Sequence, residues 1–267
     1  MKTRLLLIAL LLVQSVWAQP KNRPRFDRQA FAEKIAVAEW MTEYDSIAWR
    51  MSELVTMATY DQLERIDRRE WFCFKGKDSL WNAVYGKYND STYDLVLHYK
   101  LMENDTIDAV CDAPDTAMLH SVSRAINIAY REAAPILGKT STRFNKFVRY
   151  HADKTVSVWL LPALQSLGIA LYGGEFYYHF DRSGTQILEK EEYYQGSFKG
   201  FKTGKPRDVR LNYDDAAAPT QGAVYFAVQY RKFFTNIHID TRESTSVQSF
   251  SPGKGYYWLH ADKLTMN

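Results

Sequence analysis

The chain has 267 residues, of which 46% are hydrophobic and 15% aromatic, with 34 Lys and Arg against 31 Asp and Glu. That length and apolar content supply a packed core for one domain with an appendage, or for two small domains. A formal charge of +3, with no clustered basic face, gives no electrostatic case for a nucleic-acid partner.

Residues 1–18, MKTRLLLIALLLVQSVWA, read as a signal peptide. Lys2 and Arg4 make a positive start, Leu5 to Val13 form an apolar run, and Val16 and Ala18 are the small residues of a cleavage site. The run is too short to span a bilayer of about 30 Å as a helix. Cleavage before Gln19 leaves 32 basic against 31 acidic residues, a net charge of 32 − 31 = +1. No Cys follows that site, so no lipid anchor is expected. The expected destination is the periplasm or the extracellular space. The expected partner is an envelope or extracellular protein or glycan, and no transmembrane segment is foreseen. Residues 19–26, QPKNRPRF, are polar with two prolines and read as a tether.

Asp27 is placed to cap the next segment. Phe31, Ile35, Ala38, Met41, Tyr44, Ile47, Met51, Leu54 and Ala58 then recur at three- and four-residue steps, one apolar stripe. It belongs to a single long helix, or to two helices broken near Asp45 and Ser46. Residues 27–69 are thus an N-terminal helical segment, and its greasy face must be buried, in its own domain or on a partner.

From Trp71 the period shortens. WFCFKG, YDLVLHYKLM over 93–102 and DTIDAVC over 105–111 read as strands, with a polar turn at Tyr88-Asn89-Asp90. A helix opens after Asp112-Ala-Pro-Asp115, carries Met118, Leu119, Val122, Ile126 and Ala129 on one side, and should end before Pro135. KFVRYH, TVSVWLL, GGEFYYHF and TQILEKEEYY are strands, the last two joined by Asp181-Arg-Ser-Gly184. NIHID, STSVQSF and GYYWLH follow, the last two linked through Ser251-Pro-Gly253. The predicted fold class is α+β, a largely antiparallel sheet with packed helices, filling residues 70–267 with a subdivision near 140.

Cys73 and Cys111 both fall in predicted strands. They form a disulfide, or they are two buried thiols, depending on whether their Cα atoms come within about 7 Å. Eighteen tyrosines and seven tryptophans suit a core. They suit sugar stacking only if several rings are exposed together.

Alternation along GGEFYYHFD puts Glu175, Tyr177, His179 and Asp181 on one strand face. A carboxylate and an imidazole there could act as base and acid, and the plainer reading is the solvent face of a half-buried strand. The six histidines stand singly, no His-Glu-x-x-His or Gly-x-Ser-x-Gly motif occurs, and GSFKGFKTGKPR lacks phosphate-loop spacing. No catalytic residue, metal or cofactor is therefore assigned.

VRLNYDDAAAPTQGAVYF, residues 209–226, resembles JAMM-type zinc isopeptidases in spacing over about fifteen residues. That family carries His-x-His, seven residues, Ser, two residues and Asp, with a Glu base on an earlier strand. Arg210, Asn212, Thr220 and Ala223 stand at those positions, with Pro219 before Thr220. Every metal ligand is absent, since arginine stays cationic and alanine has no donor atom. The resemblance implies a non-catalytic relative whose Thr220 opens a helix over 221–232, and the alternative is an ordinary polar loop. Val224, Tyr225, Phe226, Val228 and Tyr230 favour a strand, so the cap and the propensity disagree, with helix slightly preferred.

The functional expectation is a secreted, non-enzymatic protein that binds a peptide or glycan, with Glu175, His179, Asp181, Arg210, Asn212 and Thr220 as candidate ligand contacts. A hydrolase centred on Glu175 and His179 is the second expectation, and a scaffold acting through the N-terminal helix is the third.

Overall fold

The computed structural model describes residues 26–67, 70–90, 92–112 and 114–263. The expected signal peptide and all of the expected tether but Phe26 lie outside the described residues. Asp27 caps α1, Arg28–Val55, by accepting from Gln29 N and Ala30 N at 3.0 Å. The helix runs unbroken through Asp45 and Ser46. Asp45 competes with helical backbone only when its side chain turns back on the chain. Here it bonds distant side chains instead. A short α2, Tyr60–Glu64, follows with Thr59 and Gln62 as a capping box.

Among the described residues, twelve strands form three four-stranded sheets. The first is β1 (Phe72–Lys75), β2 (Trp81–Tyr88), β3 (Tyr93–Leu101) and β4 (Ile107–Ala109) in that order. The second is β5 (Phe144–Tyr150), β6 (Val156–Pro162), β7 (Ile169–Phe180) and β8 (Ile187–Lys202). The third runs β12 (Gly255–Asp262), β11 (Ser244–Ser251), β10 (Asn236–Thr241), β9 (Val209–Tyr213). All pairings are antiparallel except β9 with β10, which need a crossover. That crossover contains α4, Gln221–Tyr230. The fold is α+β, as expected from the sequence.

α3 spans Thr116–Leu137, passing through Pro135 and ending three residues beyond its expected end. Pro135 sits in the last turn, where the missing N–H forfeits a single helical bond. α4 opens on Thr220, whose hydroxyl accepts from Ala223 N at 3.1 Å, so the cap prevails over strand propensity. Its residues from Gly222 to Val228 are all buried, and a helix buried on every side needs no polar stripe.

The second sheet is covered on both faces. Val148, Val158, Leu160, Phe176, Tyr178 and Phe180 pack with α3 in one core. Phe147, Trp159, Leu161 and Tyr177 pack with α1 and α4 in the other. The α1 stripe, from Phe31 to Met51, is buried in that second core rather than presented to a partner. The same arrangement overturns the solvent-face reading of β7, because α4 lies over Glu175, which is only 7% exposed.

Cys73 and Cys111 are both free, the first buried and the second exposed. Cys73 sits on β1 and Cys111 just past β4, the two edges of one sheet. Three strand spacings of about 4.8 Å separate them, well beyond disulfide reach.

Candidate functional site

Glu175 is the centre of a small buried junction. Its Oε1 accepts from the Tyr213 hydroxyl at 2.5 Å and its Oε2 from Gly222 N at 2.8 Å. The carboxylate thus takes the place of an anion at the N-terminus of α4, where free N–H groups and the helix dipole favour negative charge. Burial raises its pKa, while the hydrogen bonds from Tyr213, Thr220 and Gly222 oppose that rise. Thr220 and Lys34 line the same cavity of about 120 Å³. Lys34 Nζ is engaged by Pro219 O at 2.7 Å.

The structure therefore brings Glu175 and Thr220 together but sends Arg210 and Asn212 elsewhere. Along β9, Val209, Leu211 and Tyr213 point inward and are buried, while Arg210 and Asn212 are exposed on the opposite face. Arg210 pairs with Asp240 across the parallel register. Among the described residues no group of three or more His, Cys, Asp and Glu could hold a metal ion. Residues 209–226 are thus a strand, a turn and a capped helix.

His179 does not join Glu175. Four residues along a strand is about 13 Å, and Tyr177 stands between them, so the base–acid pair expected from the sequence is not formed. His179 Nδ1 and His151 Nε2 instead converge on the buried Ser157 hydroxyl at 3.0 and 2.9 Å. Burial lowers the His151 pKa, with His179 and Arg149 adding to the effect. Asp181 leaves the strand face at a register shift between His179 and Phe180. It closes the hairpin by accepting from Ser183 Oγ at 2.6 Å and from Thr185 N and Gln186 N at 3.0 Å. Desolvation pushes its pKa up, yet these bonds outweigh it and hold the carboxyl at about 2.

A larger opening lies at the other end of α4. It is a cleft of about 560 Å³ between α1 and α4, backed by Trp71 and Asn145. On its wall, Asp45 accepts from Asn145 Nδ2 at 3.1 Å and from Gln229 Nε2 at 3.0 Å. Burial raises the Asp45 pKa and the Gln229 bond opposes this. A carboxylate has about four acceptor positions, of which these bonds fill two. Gln229 Oε1 is buried with no hydrogen-bond partner among the described residues. At the lip, the Trp49 indole is 71% exposed, although a free indole costs hydrophobic free energy. Trp71 is held flat by Tyr85, with ring centroids 5.9 Å apart, and by Lys146 Nζ at 3.8 Å from its ring.

Comparison of the chain with protein-family models, curated proteins and solved structures finds no match. The cleft therefore stands on its own chemistry. Asp45, Asn145 and Gln229 come from α1, β5 and α4, at separations of 100 and 184 residues, and carry no motif. The available signal was the α1 stripe itself, in which Trp49 and Asp45 fall off the apolar side.

Proposed function

We propose that the protein is a non-enzymatic saccharide-binding protein whose ligand lies in the cleft between α1 and α4. The observation that carries this reading is the pairing of the exposed Trp49 indole with the Asp45–Asn145–Gln229 cluster on one opening. A sugar ring offers one apolar face to an aromatic plate and a rim of hydroxyls to acceptors. Asp45 supplies those acceptors, and its bonds from Asn145 and Gln229 fix it before the ligand arrives, which lowers the ordering cost of binding. The volume falls in the range of about 300–1,000 Å³ usual for small-ligand sites. Export through the signal peptide would bring such a protein to the glycans of the envelope or extracellular space.

The test is calorimetry with envelope oligosaccharides on the chain from Gln19, with Trp49→Ala beside the native protein. Trp49 makes no core contact that folding needs, so the variant should keep its stability. It should bind about tenfold or more weakly, as expected when an aromatic anchor is lost. Binding unaffected by Trp49→Ala, or no binding by any fraction at high protein concentration, would sink this reading.

A further inference from the structure

The cleft carries more positive charge than it neutralises. Arg50, Arg231 and Lys232 all line it, against a single carboxylate, Asp45. Arg50 is engaged, since its Nη1 and Nη2 donate to Asp105 Oδ1 and O at 2.8 Å. Arg231 and Lys232 form no ion pair among the described residues. Arg231 is nevertheless fixed in place, its guanidinium 4.7 Å from the Tyr256 ring centroid. Stacking of that kind holds the plane of the group and leaves its edge N–H donors available, the geometry that receives a carboxylate in a fork. Asp45 does not serve these two cations, because its own partners are the Asn145 and Gln229 amides.

Resting on the saccharide reading above, we propose that the ligand is an acidic saccharide. Its carboxylate meets Arg231 and Lys232, and its hydroxyls meet Asp45 beside Trp49. A neutral sugar would use the aromatic plate and the acceptors alone, leaving both cations without a counter-charge. A charge-assisted hydrogen bond contributes about 1.5–3 kcal/mol, equivalent to roughly a ten- to hundredfold change in affinity.

The experiment uses galacturonate and glucuronate oligomers and their methyl esters, which share a backbone and differ in charge. They are titrated into the native chain from Gln19 at low salt and in 1 M NaCl. The acids should bind at least about tenfold more tightly at low salt. That preference should collapse at high salt, where the screening length falls to about 3 Å, and in the Arg231→Gln/Lys232→Gln variant. Lys232 is exposed, so Lys232→Gln alone gives a folded reporter if the double variant does not fold. Equal binding of acid and ester overturns the inference while the saccharide reading stands. Binding of neither overturns both. Binding of poly-glutamate without binding of any saccharide replaces the sugar with an acidic peptide and overturns the inference as well.

Discussion

Glu175 on β7 reaches the first turn of α4 and accepts the Gly222 N–H at 2.8 Å. The contact is so close that a Cβ on Gly222 would lie 2.2 Å from Glu175 Cδ. Sheet and helix are therefore joined through one carboxylate and one position that tolerates no side chain.

Gly222→Ala should unfold the junction or displace Glu175, with a loss of about 2–4 kcal/mol, in the range of overpacking combined with a broken buried hydrogen bond. Glu175→Ala should cost a similar amount, because it strands the Tyr213 hydroxyl and the Gly222 N–H in the interior. Urea denaturation checks both. A loss below about 0.5 kcal/mol in either variant would show that the junction does not bear on stability.

Lys146 gives a pH signature. It is 5% exposed, and burial drives its pKa down to about 7, with Cys73, Asp67 and Glu70 opposing the drop. A lysine whose folded pKa is depressed holds fewer protons folded than unfolded between about 7 and the ordinary lysine value of about 10.4. Stability should therefore rise with pH across that window. Lys146→Met should remove the rise and add roughly 1–3 kcal/mol near pH 7, as when a buried charge gives way to a well-packed apolar side chain. Denaturation midpoints of the two proteins at several pH values give the answer, and parallel curves would refute it.

Thiol labelling separates the cysteines. Cys111 is exposed and should react with a maleimide in the native protein within minutes. Cys73 is buried and its thiol is pushed up to about 12, chiefly by desolvation, so it should react only after unfolding. Mass spectrometry should show one label native and two denatured. Two native labels would place Cys73 in an opening segment.

Deleting residues 27–58 should abolish folding rather than release a soluble remainder. The stripe from Phe31 to Met51 contributes seven buried side chains to the core shared with α4 and the sheets. Circular dichroism and amide exchange of the truncated chain decide the matter, and a cooperative melt would contradict it.

Much of the architecture was legible because the relevant signals are local. Helix spacing revealed α1, and Asp181 with Gly184 announced the β7–β8 turn. β2 escaped because Trp81 to Gly86 is buried at six successive positions, so no alternation marks it. α4 was ambiguous for a related reason, since full burial erases helical periodicity and only Thr220 remained as a sign. Glu175 was noticed for its residue type, yet its role depends on Tyr213 and Gly222, which no strand pattern connects to it. The cleft was invisible because Asp45 becomes a site only when Asn145 and Gln229 arrive from two other elements.

The bonds between α1 and the start of α4 also set a timetable for synthesis. Lys34 donates to Pro219 O, and Gln221 donates back to Lys34 O, across 185 and 187 residues. At about 5–20 residues per second, a ribosome needs roughly 10–40 s to make that interval. Throughout it, the part of α1 that packs on α4 has been made but α4 has not. A helix face left uncovered for so long invites wrong contacts, so an early segment is among the last to complete its packing, and a holding chaperone should recognise it in the interim.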